Sequence, residues 1–204
     1  MKSVAITQRE DLIAERMEKR DALDQQLSVF FSTAGYLVFP VPNMYGFNAD
    51  KSSLLSRELY EWLNLINPTA IILSGGNDIG QSNIRDGLEN SLLGYAVNNE
   101  LPVLGICRGM QMLAQWSGAE LHKVEGHVAT KHRIVGEINR EVNSYHEYSI
   151  VSCPNEYNIL ARSEDGEIEM IRHQSRNWEG WMWHPERENE FNPEDIERVK
   201  KLIQ

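Results

Sequence analysis

The sequence has little cysteine, no clustered basic residues and no apolar run long enough to cross a membrane. Two cysteines, Cys107 and Cys153, in 204 residues cannot make a disulfide framework, which points to a reducing compartment. Cys153 reads as inert, and pairing it with Cys107 would consume a thiol set up for chemistry. A formal net charge of −10 without a Lys/Arg patch excludes a phosphate-backbone surface, so no nucleic-acid partner is expected. Residues 1–12 hold one short apolar pattern with charges close behind it. That is neither a secretory core nor a span, so no membrane partner and a cytoplasmic location are expected. The glycines at 75, 76 and 80 lack the Lys-Ser/Thr ending of a phosphate-binding loop, which argues against an NTPase of that kind. The length fits one α/β domain over residues 1–204 and leaves no room for a fused synthetase.

What the sequence does have is alternation. Apolar runs at residues 4–7, 36–40, 70–74 and 102–106 are too short for helices, and amphipathic stretches near 22–34, 52–64 and 89–98 lie between them. Strand following helix in this way predicts a three-layer α/β/α fold whose central, mostly parallel sheet is covered on both faces. Ligands of such sheets sit at the carboxyl ends of the strands. A helix is predicted at 110–116, short strands forming a small antiparallel section over 119–183, and a closing helix over 196–203 started by Asn192-Pro193-Glu194.

Three segments carry the chemistry. In Leu101-Pro102-Val103-Leu104-Gly105-Ile106-Cys107-Arg108-Gly109-Met110-Gln111, a strand breaks at a glycine-flanked cysteine and continues as a helix. A thiol on such a turn, at a helix N-terminus, is biased toward thiolate; the plain alternative is a small buried cysteine after a strand. Gly180-Trp181-Met182-Trp183-His184-Pro185-Glu186 supplies a base and a carboxylate, expected on one side of an extended segment, where Glu186 can orient the His184 ring. Ala70-Ile71-Ile72-Leu73-Ser74-Gly75-Gly76-Asn77-Asp78 ends a strand in paired glycines, suited to aiming backbone N–H groups at an oxyanion. The expected donors are the amides of Gly76 and Arg108. His122, His127 and His132 recur at five-residue intervals; that spacing suits no helix face and alternates sides in a strand, so no shared metal is expected. No cofactor is expected either.

Together these segments resemble the class I glutamine amidotransferase-like superfamily. The pattern G-x-C-x-G-x-Q is met by Gly105, Cys107, Gly109 and Gln111, and H-x-E by His184 and Glu186. Ala5-Ile6-Thr7-Gln8-Arg9 and Val142-Asn143-Ser144-Tyr145-His146 resemble its γ-glutamyl hydrolase branch, peptidase family C26. The resemblance implies a flavodoxin-like three-layer fold, a Cys107-His184-Glu186 triad and acyl transfer that releases glutamate. It also implies that Gln111 and the backbone around Asn143, Ser144, Tyr145 and His146 hold the glutamyl group. Arg20-Asp21-Ala22-Leu23-Asp24-Gln25 and His184-Pro185-Glu186-Arg187-Glu188-Asn189 are similar to members that split γ-glutamyl-CDP-amidate into glutamate and cytidine diphosphoramidate for capsule decoration. On that reading Arg9, Lys19 and Arg20 would meet a diphosphate. The alternatives are γ-glutamyl-aminobutyrate or another γ-glutamyl peptide as substrate, a glutaminase subunit serving a synthase, and, from another class, a binding protein that keeps the fold without the reaction. The partner implied is a small γ-glutamyl molecule, and a homodimer stays open.

Overall fold

A computed structural model describes residues 2–46 and 54–204. The chain begins with β1 (Ser3–Ile6), a hairpin of β2 (Arg9–Ile13) and β3 (Glu18–Ala22), α1 (Gln25–Thr33) and β4 (Leu37–Pro40). Then come α2 (Leu54–Ile66), β5 (Ala70–Leu73), α3 (Asn83–Asn98), β6 (Val103–Ile106) and α4 (Arg108–Trp116). A run of strands follows: β7 (Leu121–Lys123), β8 (Val128–Gly136), β9 (Arg140–Tyr145), β10 (Tyr148–Ile150), β11 (Tyr157–Ser163), β12 (Ile168–His173) and β13 (Trp178–Trp181). Helix α5 (Pro193–Leu202) closes the chain.

A 9-stranded sheet runs in the order β4-β1-β5-β6-β13-β12-β11-β8-β9. From β4 to β13 the neighbours are parallel; beyond β13 they are antiparallel. Period-two alternation explains the layers. Val4, Ile6, Ile72, Leu104 and Ile106 face one side, where α1 and α5 bring Leu27, Phe30, Phe31, Val199 and Leu202. Ala5, Ile71, Leu73 and Val103 face the other, against Leu59, Leu63, Leu88, Leu92 and Leu113 of α2, α3 and α4. Strands buried on both faces read as unbroken apolar runs, as β1, β5 and β6 do; the fourth expected strand, β4, is present as a partly exposed edge. No described helix is long and apolar enough to cross a membrane.

The differences from expectation have local causes. Helix α1 starts at Gln25 rather than 22, because the Asp24 carboxylate accepts the Gln26 N–H (2.9 Å) as an N-cap, and the residues before it pair as the β2–β3 hairpin. Helix α3 begins at Asn83 rather than 89, its first turns built around Arg85, Asp86 and Glu89 instead of an apolar stripe. The predicted start of a helix at 52 lies outside the described residues. The antiparallel section is larger than expected and continues the main sheet.

The histidine reading is corrected in part. Ala129 has φ 53°, and the β8–β9 register shifts between Val128 and Thr130. One extra residue in a bulged strand reverses the parity of everything beyond it. A five-residue interval then returns to the same face, and His127 and His132 meet with ring centroids 4.8 Å apart. His122 stays apart and pairs with Glu167 at 3.1 Å.

Candidate active site

Cys107 stands between β6 and α4 with φ 52° and ψ −108°, a left-handed-side conformation that costs a side-chain-bearing residue energy. The turn is held in place. Its N–H donates to the Trp181 carbonyl (2.7 Å), and its carbonyl accepts from the amides of Met110 (2.9 Å) and Gln111 (3.2 Å). Helix α4 can sit this close to the sheet because residue 109 is glycine: a Cβ there would lie 2.1 Å from the Leu73 carbonyl oxygen. Cys107 is therefore the N-cap of α4, and the Arg108 N–H, in the first helical turn, has no intrahelical acceptor.

His184 follows β13 and is buried. Its Nδ1 lies 2.6 Å from Glu186 Oε1, and Cys107 is the other group whose charge acts on the ring. Burial disfavours the imidazolium, but Cys107 and Glu186 favour it more, and the pKa rises to about 9. The carboxylate arrives differently from the extended path expected: Pro185 opens a 3-10 turn, Pro185–Arg187, which curls Glu186 back under the ring. The peptide of His184 is clamped from the sheet. Asn143 Nδ2 donates to the His184 carbonyl (2.8 Å), and Asn143 Oδ1 accepts the His184 N–H (3.0 Å). Tyr145 packs edge-on against the imidazole, centroids 5.8 Å apart, and the Arg187 guanidinium lies 4.5 Å over the Tyr145 ring.

The Gly75-Gly76 loop rests against the same ring. A Cβ on Gly75 would come 2.5 Å from His184 Cε1. The buried Arg85 guanidinium donates to the carbonyls of Ser74 (2.6 Å) and Gly75 (2.9 Å). In a trans peptide the N–H points opposite to the carbonyl, so this grip turns the Gly76 N–H away from Arg85. Arg85 is in turn held by Glu89 (Nε to Oε1, 3.0 Å); Glu89 also accepts from Thr7 Oγ1 (2.9 Å) and pairs with Arg108. Burial pushes Glu89 up, but Arg108 and Arg85 outweigh it and hold the carboxyl below its ordinary range. Burial also lowers Arg85 to about 10, still a cation at neutral pH. The Arg108 side chain thus runs away from Cys107 toward Glu89 and Asp86, leaving its amide beside the thiol.

Sequence reasoning missed Thr7, Ser74, Arg85 and Glu89. One sign was available: Arg85 and Glu89 stand four apart, a pairing distance on a helix.

Two cavities flank these groups. One of about 250 Å³ beside His184 is lined by Arg9, Asp11, Gly75, Gly76, Glu186 and Arg187 among others. Another, of about 480 Å³, is lined by Gln111 with Asp78, Gln81, Gln115 and Tyr148. Gln111 is buried; its Nε2 donates to the Tyr148 carbonyl (2.8 Å), while its Oε1 has no partner. Ser144 Oγ donates to the His127 carbonyl (2.7 Å), and His146 joins His127, so the side chains of Asn143, Ser144 and His146 are engaged by protein. Of the basic residues expected there, Arg9 reaches the smaller cavity, where it pairs with Asp11 (2.7 Å). Arg20 pairs with Glu18 (2.7 Å) and Lys19 with Glu10 (2.8 Å) along the hairpin, and neither lines that cavity.

Residues 44–200 match the family model for Glutamine amidotransferase class-I. A γ-glutamyl-CDP-amidate hydrolase of Campylobacter jejuni is 35% identical over 130 residues, which is 60% of this chain and 64% of that protein; the match spans just under two thirds of that relative's length. The glutamine-hydrolyzing subunit of GMP synthase from Methanococcus aeolicus is 30% identical over 62% of this chain and 69% of its own. A solved structure from Thermoplasma acidophilum, described as a GMP synthase subunit, superposes with a TM-score of 0.72 at 19% identity, covering 100% of this chain and 92% of that one. A glutamine amidotransferase structure from Thermotoga maritima gives 0.62 at 16% identity, covering 98% of this chain and 81% of that one. The solved structures share the fold.

Proposed function

The chain belongs to the class I glutamine amidotransferase family, and from that premise we propose that it is a cysteine hydrolase of γ-glutamyl amides. The observation that carries this is the Glu186 carboxylate 2.6 Å from His184 Nδ1, on a ring whose imidazolium Cys107 also favours. A ring raised to about 9 carries its proton at neutral pH, opposite a sulfur at a helix N-terminus. The thiolate attacks the γ-carbonyl carbon, and the oxyanion falls to the amides of Gly76 and Arg108. Collapse breaks the C–N bond while imidazolium protonates the departing nitrogen. Water then attacks the thioester, neutral His184 takes its proton, the C–S bond breaks and glutamate leaves.

Gln111 supports a glutamyl acyl half: its unpartnered buried Oε1 is an acceptor for the α-ammonium group. The leaving half is assigned to the cavity beside His184, where Arg9 and Arg187 suit a diphosphate. Arg20, paired with Glu18, is not needed for it. With the Campylobacter relative, these features favour γ-glutamyl-CDP-amidate as substrate and cytidine diphosphoramidate as the second product, made in the cytoplasm for capsular phosphoramidate transfer. The second reading, a glutaminase subunit, draws on the GMP synthase relatives.

A substrate panel read by glutamate release separates the two. The hydrolase reading expects kcat/KM for γ-glutamyl-CDP-amidate to exceed that for glutamine by about 10⁴-fold, the scale on which a site built to hydrogen-bond polar groups rejects an analogue lacking them, with Cys107→Ala inactive on both. Glutamine turnover that needs an added synthase supports the second reading. If every γ-glutamyl compound is inert, and glutamine stays inert with the synthase added, both are lost.

A further inference from the structure

Behind the site, the bulge in β8 gathers a second constellation. We propose that His127, His132, His146 and Glu169 form a closed binding site for one divalent transition-metal ion of zinc type, which pins the antiparallel strands that hold His184.

Four of the donor-atom separations are close to those of ligands, and the donor atoms of His127, His132 and Glu169 all lie within 4.8 Å of one another. Glu169 Oε1 lies 3.2 Å from His132 Nε2, 3.4 Å from His146 Nε2 and 3.7 Å from His127 Nδ1, and His127 Nδ1 lies 3.2 Å from His146 Nε2. A tetrahedral ion with bonds of about 2.0–2.2 Å separates its ligands by roughly 3.3–3.6 Å. Despite this closeness, His132 Nε2 and both Glu169 oxygens have no hydrogen-bond partner. Groups that converge on a common centre, rather than on one another, leave this signature. Glu169 is 0% exposed, and a carboxylate so buried without aligned donors is costly unless a cation answers it.

The rings are oriented from outside. His127 Nε2 faces Asp165 Oδ2 (2.8 Å), and His146 Nδ1 faces the Tyr148 carbonyl (3.0 Å). Both partners only accept, so the ring protons sit on the outer nitrogens, and the inner nitrogens present lone pairs. Two lone pairs and a carboxylate oxygen then face one another, an arrangement that metal-binding histidines share. Four protein donors leave no open position, as in structural rather than catalytic zinc sites. The consequence for the neighbouring site runs through backbone: His146 N–H and Ser144 Oγ both donate to the His127 carbonyl (3.1 and 2.7 Å), next to Tyr145 and Asn143, which hold His184.

The full chain, stripped with chelator and titrated with zinc, is expected to take up one equivalent per chain with a raised thermal midpoint, and with cobalt(II) to show the intense visible bands of a tetrahedral site. Binding should be lost in Glu169→Gln and His132→Ala, weaken about 10–100-fold in Asp165→Asn and be unchanged in His122→Ala. No uptake at micromolar zinc, a six-coordinate cobalt spectrum, or uptake that survives Glu169→Gln combined with His132→Ala would each overturn the proposal. The cobalt spectrum of the unaltered chain decides the matter even if those variants fail to fold.

Discussion

Among the buried carboxylates, Glu89 and Glu169 are treated differently, whereas Glu179 on β13 is answered by Arg172 and Arg198. In the parallel half Glu89 meets Arg85, Arg108 and Thr7, and its charge is answered within the chain. In the antiparallel half Glu169 meets only imidazole nitrogens, none in an aligned hydrogen bond. The first half completes its own electrostatics and uses them to shape the Gly75-Gly76 loop. The second is left needing a cation. Glu89→Gln is expected to cost about 3–5 kcal/mol, because the buried Arg85 loses its counter-charge and Arg108 keeps only Asp86, measured by urea unfolding. Glu169→Gln should cost less than that in chelator-treated protein and approach it only in metal-loaded protein. Equal costs under both conditions would erase the contrast.

The halves also differ in how legible they are from sequence. Runs such as Ala70–Leu73 and Val103–Ile106 are buried on both faces, so their apolar continuity survives in the sequence, and the motifs at their ends stand where the strands stop. Cys107, His184, Glu186 and Gly76 could be picked out for that reason. Beyond β6 the signal fails because pairing is decided by particular residues rather than by period. The positive φ of Ala129 reverses the faces of β8, which no alternation rule anticipates. Before β6 the β2–β3 hairpin escapes for another reason: it is rich in charged residues. The Arg85–Glu89 network was hidden for a related reason: buried charge looks like surface charge until its partners are known.

The second effect in size falls at the seam. Gly75→Ala would place a methyl 2.5 Å from His184 Cε1, against a ring fixed on its far side by Glu186. The ring or the loop must move, and a misplacement on the order of 1 Å costs about 100-fold in rate. The expected outcome is that loss in kcat/KM with the unfolding midpoint nearly unchanged, since Gly75 lines a cavity rather than the core. A stability loss matching the activity loss would mean the loop is structural and nothing more.

The smallest effect separates two histidines by the sign of their shift. His184, at the seam, is raised to about 9 against an ordinary 6.5: burial opposes its charge, but Cys107 and Glu186 prevail. His173, at the end of β12, is lowered by burial and by Arg176. The signs follow from linkage. A raised group stabilises the fold fully below pH 6.5 and loses that contribution as pH climbs through about 9. A lowered one contributes above 6.5 and loses it as pH falls through its depressed value. Stability should therefore decline on both sides of neutrality, with hydrolysis falling on an alkaline limb near 9 as the imidazolium loses its proton. Removing the carboxylate in Glu186→Gln should move that limb down by about one pH unit, while the share of the acid-side loss that His173 contributes stays where it was. Carbon-bound proton shifts of the two rings in NMR titrations check the assignment directly: a His184 that titrates at or below 6.5 in the unaltered protein would remove the ion pair on which the proton transfer depends.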